Sequence, residues 1–326
     1  MNSPRPGDPP SDGRAMQLRF TRDNQEADEA IDRLMALVGG IQRPDIVRQM
    51  IIAALKAGQE DDGRADLKMI NSTLKEMRFT AKAFAPYRDI RKVTVFGSAR
   101  TRPEEPAYRI ARELGEKLAR AGYMVITGAG PGIMHAVNEG AGPEHSFGVN
   151  IRLPFEQNAN AVFEGNPRLI TYKYFFNRKV AFIKEADAVV LLPGGFGTLD
   201  EAMEVLTLLQ TGKRYSLPLL LIDEPGSTYW SHVIRFFELE LLARGYIDRA
   251  DLDLFEHVQS IDEALIRLDA FYRRYHSLRY VDERLIIRMK SELDGARVAE
   301  LNERFKDILV PGGEIAVSGA LEAEAD

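Results

Sequence analysis

The middle of the chain alternates between two hydrophobic periods. Lys92-Val93-Thr94-Val95-Phe96, Tyr123-Met124-Val125-Ile126-Thr127 and Phe147-Gly148-Val149-Asn150-Ile151 read as strands. Ala188-Val189-Val190-Leu191-Leu192 is an unbroken apolar run of the kind buried on both faces of a sheet. Leu217 to Ile222 forms another strand, and Leu169-Ile170-Thr171 a short one. Between them the period lengthens to that of helices: Glu105 to Arg120 with Gly122 past its end, a helix through Met134, Val137 and Ala141, then Tyr174 to Lys184, Leu199 to Gln210 and about Tyr229 to Ala243. Strands alternating with helices predict an α/β fold with a doubly wound parallel sheet, whose ligand crevice lies outside the carboxyl ends of the strands.

The flanks differ. Ala27, Ala30, Ile31, Leu34, Met35 and Val38 recur at helical spacing between Asp23 and Gly39. Pro44 and Asp45 open a second helix that stops near Gly58, and a third runs from about Ala65 to Phe84, closed by Pro86. The first fifteen residues, rich in Pro and Gly, read as a disordered tail and not as a signal peptide. Beyond residue 275, Leu285 to Arg288 predicts a strand, Val298 to Ile308 a helix and Glu314 to Val317 a last short strand. The expected organisation is a tail over 1–15, a helical extension over 16–90, a nucleotide-binding catalytic domain over 91–275 and a small α+β appendage over 276–326.

Composition narrows the function. With 43 basic and 49 acidic residues and a net charge of −6, the chain lacks the basic excess of a non-specific duplex binder, so no nucleic-acid partner is expected. A local cationic pocket for one phosphate remains compatible. Without cysteine there is no disulfide, thiolate zinc site or cysteine nucleophile. The five histidines, at 135, 145, 232, 257 and 276, form no metal-ligand pair at helical spacing, so no metal is expected. No apolar run is long enough to cross a bilayer; no membrane partner and a cytoplasmic location are expected.

Three strand-end loops carry the candidate chemistry. In Pro193-Gly194-Gly195-Phe196-Gly197-Thr198, the glycines let backbone approach an anion, the following helix start offers free N–H groups, and Thr198 can cap the helix and donate to a phosphate oxygen. A tight strand–helix turn with an ordinary Thr cap satisfies the same residues, so this turn alone leaves both readings open. Gly128-Ala129-Gly130-Pro131-Gly132 has the same setting; its spacing is not that of a dinucleotide fingerprint, Pro131 removes one N–H, and no Gly-Lys-Ser/Thr follows. Gly97-Ser98 ends the first strand. Arg178 and Lys179 lie on an otherwise apolar helix with Phe175, Phe176 and Phe182, a setting that favours a polar pocket, where Arg clamps phosphate in bidentate fashion. Glu201, in the first turn after the Gly loop with Glu204 three residues on, is either a charge–dipole residue or a carboxylate that stabilises an oxocarbenium-like sugar or positions water.

Taken together, these residues resemble a known family. Pro193 to Glu201 matches a P-G-G-x-G-T-x-x-E motif, Arg178-Lys179 stands where that family carries an Arg-Lys pair, and Gly128 to Met134 corresponds to its other Gly-rich loop. The family is the LONELY GUY group of cytokinin riboside 5′-monophosphate phosphoribohydrolases, often labelled lysine decarboxylases; the resemblance covers roughly residues 90–245. It implies a modified Rossmann fold, a homodimer or higher homo-oligomer, and cleavage of a purine nucleoside 5′-monophosphate to free base and ribose 5-phosphate with no cofactor or metal. By similarity Arg178 and Glu201 are catalytic, and Gly97, Ser98, Gly128, Gly130, Gly132, Met134, Lys179, Gly194, Gly195, Gly197, Thr198 and Thr207 bind the substrate. No lysine stands in a cofactor-anchoring context, which speaks against decarboxylation. Plant-like members carry Met-His-Glu where this chain has Phe175-Phe176-Asn177, and the loop with Glu156 and Gln157 also differs, which fits a longer bacterial-type member. The alternative is a non-catalytic nucleotide or molybdenum-cofactor carrier of related fold.

Overall fold

A computed structural model describes residues 25–60, 63–152, 159–281 and 284–321; the expected tail and the loop residues Glu156 and Gln157 lie outside these. Three helices come first: α1 (Gln25–Val38), α2 (Pro44–Glu60) and α3 (Arg64–Phe84). Then follow β1 (Lys92–Phe96), α4 (Pro106–Arg120), β2 (Met124–Thr127), α5 (Ile133–Ala141), β3 (Ser146–Ile151), β4 (Leu169–Tyr172), α6 (Phe175–Lys184) and β5 (Ala188–Leu191). The series continues with α7 (Phe196–Gln210), β6 (Leu219–Ile222) and α8 (Tyr229–Phe236), which widens into a π-helix over Phe237–Leu242. It ends with β7 (Glu256–Val258), α9 (Ile261–Arg274), β8 (Tyr275–Val281), β9 (Arg284–Met289) and α10 (Gly295–Arg304).

Seven strands form one sheet in the order β4-β3-β2-β1-β5-β6-β7, with every neighbouring pair parallel. The α/β doubly wound class is therefore observed. Strand residues alternate between two apolar layers. Phe96, Ile126, Phe147, Val189 and Leu221 face a layer with α6, α7, α8 and the end of α3. Val93, Val95, Val125, Val190 and Leu220 face a layer with α4, α5 and α9. Burial on both sides is why these strands read as continuous apolar runs. α4 and α5 approach closely because Gly115 and Gly140 carry no side chain: a Cβ at either would collide with the backbone carbonyl of Val137 or Arg112.

The chain winds outward from β1 to β4, then returns to β5 on the other side of β1. The carboxyl ends of β1 and β5 thus flank the point where the winding reverses, where a crevice opens in such sheets.

The compact units divide between Lys75 and Glu76, inside α3. In the first, Ile31 and Ile52 are buried, and the Arg48 guanidinium joins α2 to Asp28 and Asp32 of α1 at 2.6 and 2.9 Å. In the second, the end of α3 belongs to the sheet: Phe84 stacks on Phe147 with centroids 4.1 Å apart, and Thr80 bonds the Tyr172 hydroxyl at 2.5 Å. At the other end, β8 and β9 pair as an antiparallel hairpin, which includes the expected strand at Leu285 to Arg288. α10 starts at Gly295 and not at Val298, because Asp294 caps it by accepting the Arg297 N–H at 2.9 Å. The expected last strand at Glu314 to Val317 does not form. There the Asn302 side chain bonds both N–H and C=O of Ile315, at 2.8 and 2.7 Å, and supplies what a strand neighbour would.

Candidate active site

Backbone hydrogen bonds lock the three strand-end loops together. The Ser98 N–H donates to the Pro193 carbonyl at 3.1 Å, and the Ser98 carbonyl accepts from the Ile133 N–H at 3.0 Å. Ser98 therefore bridges the other two turns. Gly132 has φ +67°, and a Cβ there would collide with the Ser98 carbonyl, so glycine is required. At Gly194 a Cβ would collide with the Thr198 hydroxyl. Gly195 and Gly197 are different: a Cβ at either meets nothing within 4 Å, and Gly195 has an ordinary φ of −89°. Neither protein packing nor backbone strain asks for glycine at these two positions.

The helix after the turn begins earlier than its apolar pattern suggests. α7 starts at Phe196, with Gly195 as its N-cap and no side chain capping it. The reading of Thr198 as the cap is thus corrected: Thr198 lies in the first turn, buried, with its N–H on the Gly195 carbonyl at 3.0 Å. Glycine at the N-cap lets the chain enter the helix without a side chain over the amides. No described group accepts the N–H of Gly195, Phe196 or Gly197. These amides, at the positive end of a helix of fifteen residues, form a ready cradle for an anion.

The charged residues converge beside this turn. Arg178 donates through Nε to the Val149 carbonyl at 3.0 Å and lies over the Phe182 ring. A Cβ at Gly128 would come within 2.5 Å of its guanidinium, so that glycine makes room for Arg178. Met134 folds over the same loop, its thioether against Gly128 and Gly130. Lys179 reaches Glu204 at 2.8 Å, Asp200 at 2.9 Å and Glu201 at 3.5 Å. Burial works against its ammonium, yet the bonds from Glu204 and Asp200 and the charge of Glu201 prevail and hold its pKa above the ordinary value.

Glu201 stands apart from its neighbours. Its side chain is 12% exposed, and Oε2 is buried without a hydrogen-bond partner among the described residues. Burial raises its pKa to about 7; Lys179 and Arg178 lower it, and Glu204 and Asp200 raise it. A carboxylate poised near neutrality and left short of partners is a common property of catalytic groups.

The expected residues Gly97, Ser98, Gly128, Gly130, Gly132, Met134, Arg178, Lys179, Gly194, Gly195, Gly197, Thr198 and Glu201 thus lie on the three strand-end turns and on α5, α6 and α7 beside them. Thr207 stands two and a half turns further along α7, exposed, with its hydroxyl bonded to the Met203 carbonyl at 2.8 Å. Two supporting residues went unread. Asn160 pins the second loop through the Ala129 and Gly130 carbonyls, at 2.8 and 3.1 Å. Tyr229 bonds the Gly194 carbonyl at 2.8 Å. Each lies about thirty residues from the turn it supports, and no local pattern marks it.

Fold and site define a Rossmann-like α/β protein with a glycine-rich strand-to-helix turn beside a carboxylate whose Oε2 is buried. Comparison agrees with the resemblance carried by the motif. Residues 134–268 match the family model described as "Possible lysine decarboxylase". The chain is 28% identical over 192 residues to the cytokinin riboside 5′-monophosphate phosphoribohydrolase of Oryza sativa subsp. japonica, covering 57% of this chain and 75% of that one. Among solved structures it is similar to TM1055 (26% identity, TM-score 0.41, 56% of this chain and 99% of that one). It is also similar to the molybdenum cofactor carrier protein of Chlamydomonas reinhardtii (18% identity, TM-score 0.39, 56% and 97%). Similarity at the level of the phosphoribohydrolase family is what these sequence matches support.

Proposed function

We propose that this protein hydrolyses the N-glycosidic bond of a purine nucleoside 5′-monophosphate, releasing free base and ribose 5-phosphate. The observation that carries the reading is Glu201: a buried, incompletely bonded carboxylate one turn past an anion cradle on the same helix. In this reading the amides of Gly195 to Gly197 and the Thr198 hydroxyl hold the 5′-phosphate. Arg178 and Lys179 supply the positive charge on that side of the crevice. Glu201 then faces the ribose, where an ionised carboxylate stabilises the developing oxocarbenium ion or orients the attacking water. The sequence similarity to phosphoribohydrolases supports the reaction class. The reading includes action as a homodimer or higher homo-oligomer, which light scattering on the purified chain checks.

Incubation with AMP and with a prenylated AMP, followed by chromatography, should show free base and ribose 5-phosphate in equal amounts. No release above background from either, at high enzyme concentration, refutes the proposal. Glu201→Gln should lower turnover by at least a hundredfold with the fold retained, since it removes the only charge assigned to the sugar. A nucleotide that co-purifies and is never cleaved would favour the carrier alternative.

A further inference from the structure

Tyr229 enters the site from α8, an element to which the motif gives no role. Its hydroxyl donates to the Gly194 carbonyl at 2.8 Å. The Gly194 carbonyl and the Gly195 N–H belong to one planar trans peptide and therefore point in opposite directions. Fixing the carbonyl on Tyr229 fixes where that N–H is aimed. The Gly195 N–H has no acceptor among the described residues, and a Cβ at Gly195 meets open space. Gly194 has no side chain of its own to bias that peptide, and the Tyr229 hydroxyl is the donor seated on its carbonyl.

Tyr229 is in turn firmly held. Asp223, directly after β6, accepts from the Ser227 hydroxyl at 2.7 Å and from the Trp230 N–H at 3.3 Å, and bonds His257 Nε2 at 3.0 Å. Ser227 accepts the Tyr229 N–H at 3.2 Å, and the Tyr229 ring packs edge-on against the buried Trp230. The start of α8 is thus fixed to the carboxyl ends of β6 and β7, and the hydroxyl is delivered to the turn from a rigid base.

We infer that Tyr229 is a positioning residue of the anion site, anchored by Asp223: it turns the Gly194–Gly195 peptide so that the Gly195 N–H faces the phosphate of a bound sugar phosphate. The inference rests on the phosphoribohydrolase reading of this turn. Removing the hydroxyl should loosen phosphate binding specifically and leave the chemistry at the ribose largely intact.

The experiment measures ribose 5-phosphate binding by titration calorimetry, and KM and kcat for AMP, on the full chain and on Tyr229→Phe. About tenfold weaker ribose 5-phosphate binding and about tenfold higher KM, with kcat within about threefold, is the expected result; a general loosening of the fold would lower kcat as well. Equal binding and equal KM in the two proteins overturn the inference alone. A wild-type chain that binds no ribose 5-phosphate overturns the reading beneath it and the inference together. Should the Phe variant fail to fold, Ser227→Ala, which loosens the anchor of Tyr229, takes its place in the same measurements: weaker ribose 5-phosphate binding and higher KM at near-unchanged kcat support the inference, and unchanged binding and KM overturn it.

Discussion

At the scale of single residues, the site sets two glycines of different purpose side by side. Gly194 is constrained by the protein, since a Cβ would strike Thr198, whereas Gly195 is surrounded by open space. Gly194→Ala should therefore lower both the melting temperature and phosphate binding. Gly195→Ala should leave the melting temperature nearly unchanged and still weaken binding; thermal melts beside ribose 5-phosphate titrations separate the two. Glu201 makes a second prediction. Its pKa rises from 4.5 to about 7 in the fold, so between those values the native state holds more protons than the unfolded chain. Stability from this group is complete at low pH and falls as pH rises through the window. Glu201→Gln stays neutral, and should exceed the wild type in stability by up to about 3 kcal/mol near pH 8, the difference closing toward pH 4. Denaturant titrations at the two pH values test it. If the ionised form acts, kcat/KM should rise about tenfold per pH unit below about 7 and level off above it.

Among elements, the important relation is between α3 and α6. The Glu76 carboxylate accepts the Lys173 N–H at 2.9 Å and the Asn177 side-chain N–H at 2.6 Å, at the amino end of the helix that carries Arg178 and Lys179. The N-cap residue Tyr174 offers no side-chain cap of its own, so Glu76 satisfies a donor there and places negative charge at the positive end of the helix. Glu76→Ala should destabilise the protein by about 1–2 kcal/mol and lower activity through α6, as read by denaturation and turnover together. The close approach of α4 and α5 is stricter: Gly140→Ala forces a methyl against the Arg112 carbonyl and should lower stability by about 2–3 kcal/mol.

For the whole molecule, the sheet and both apolar layers belong to one compact unit that begins within α3. A chain starting at the head of α3 should therefore melt cooperatively and bind ribose 5-phosphate. One starting at β1 loses Glu76, the Thr80–Tyr172 bond and the Phe84–Phe147 stack, and should not. The sequence by itself determined most of the architecture, because burial on both faces writes a sheet strand as an apolar run and helices between them write their own period. It also marked the glycine turn, because a glycine run at a strand end is a local signal, and the resemblance of that motif singled out Arg178, Lys179 and Glu201. The tertiary structure alone decided what holds that turn and tunes that carboxylate. Tyr229, Asn160 and Glu76 act across dozens of residues, and Glu201 owes its raised pKa to burial, which no spacing encodes. The same reason explains why the strand expected at Glu314 to Val317 does not form: Asn302 satisfies the backbone at Ile315 from a helix, a bond visible only once the two are brought together.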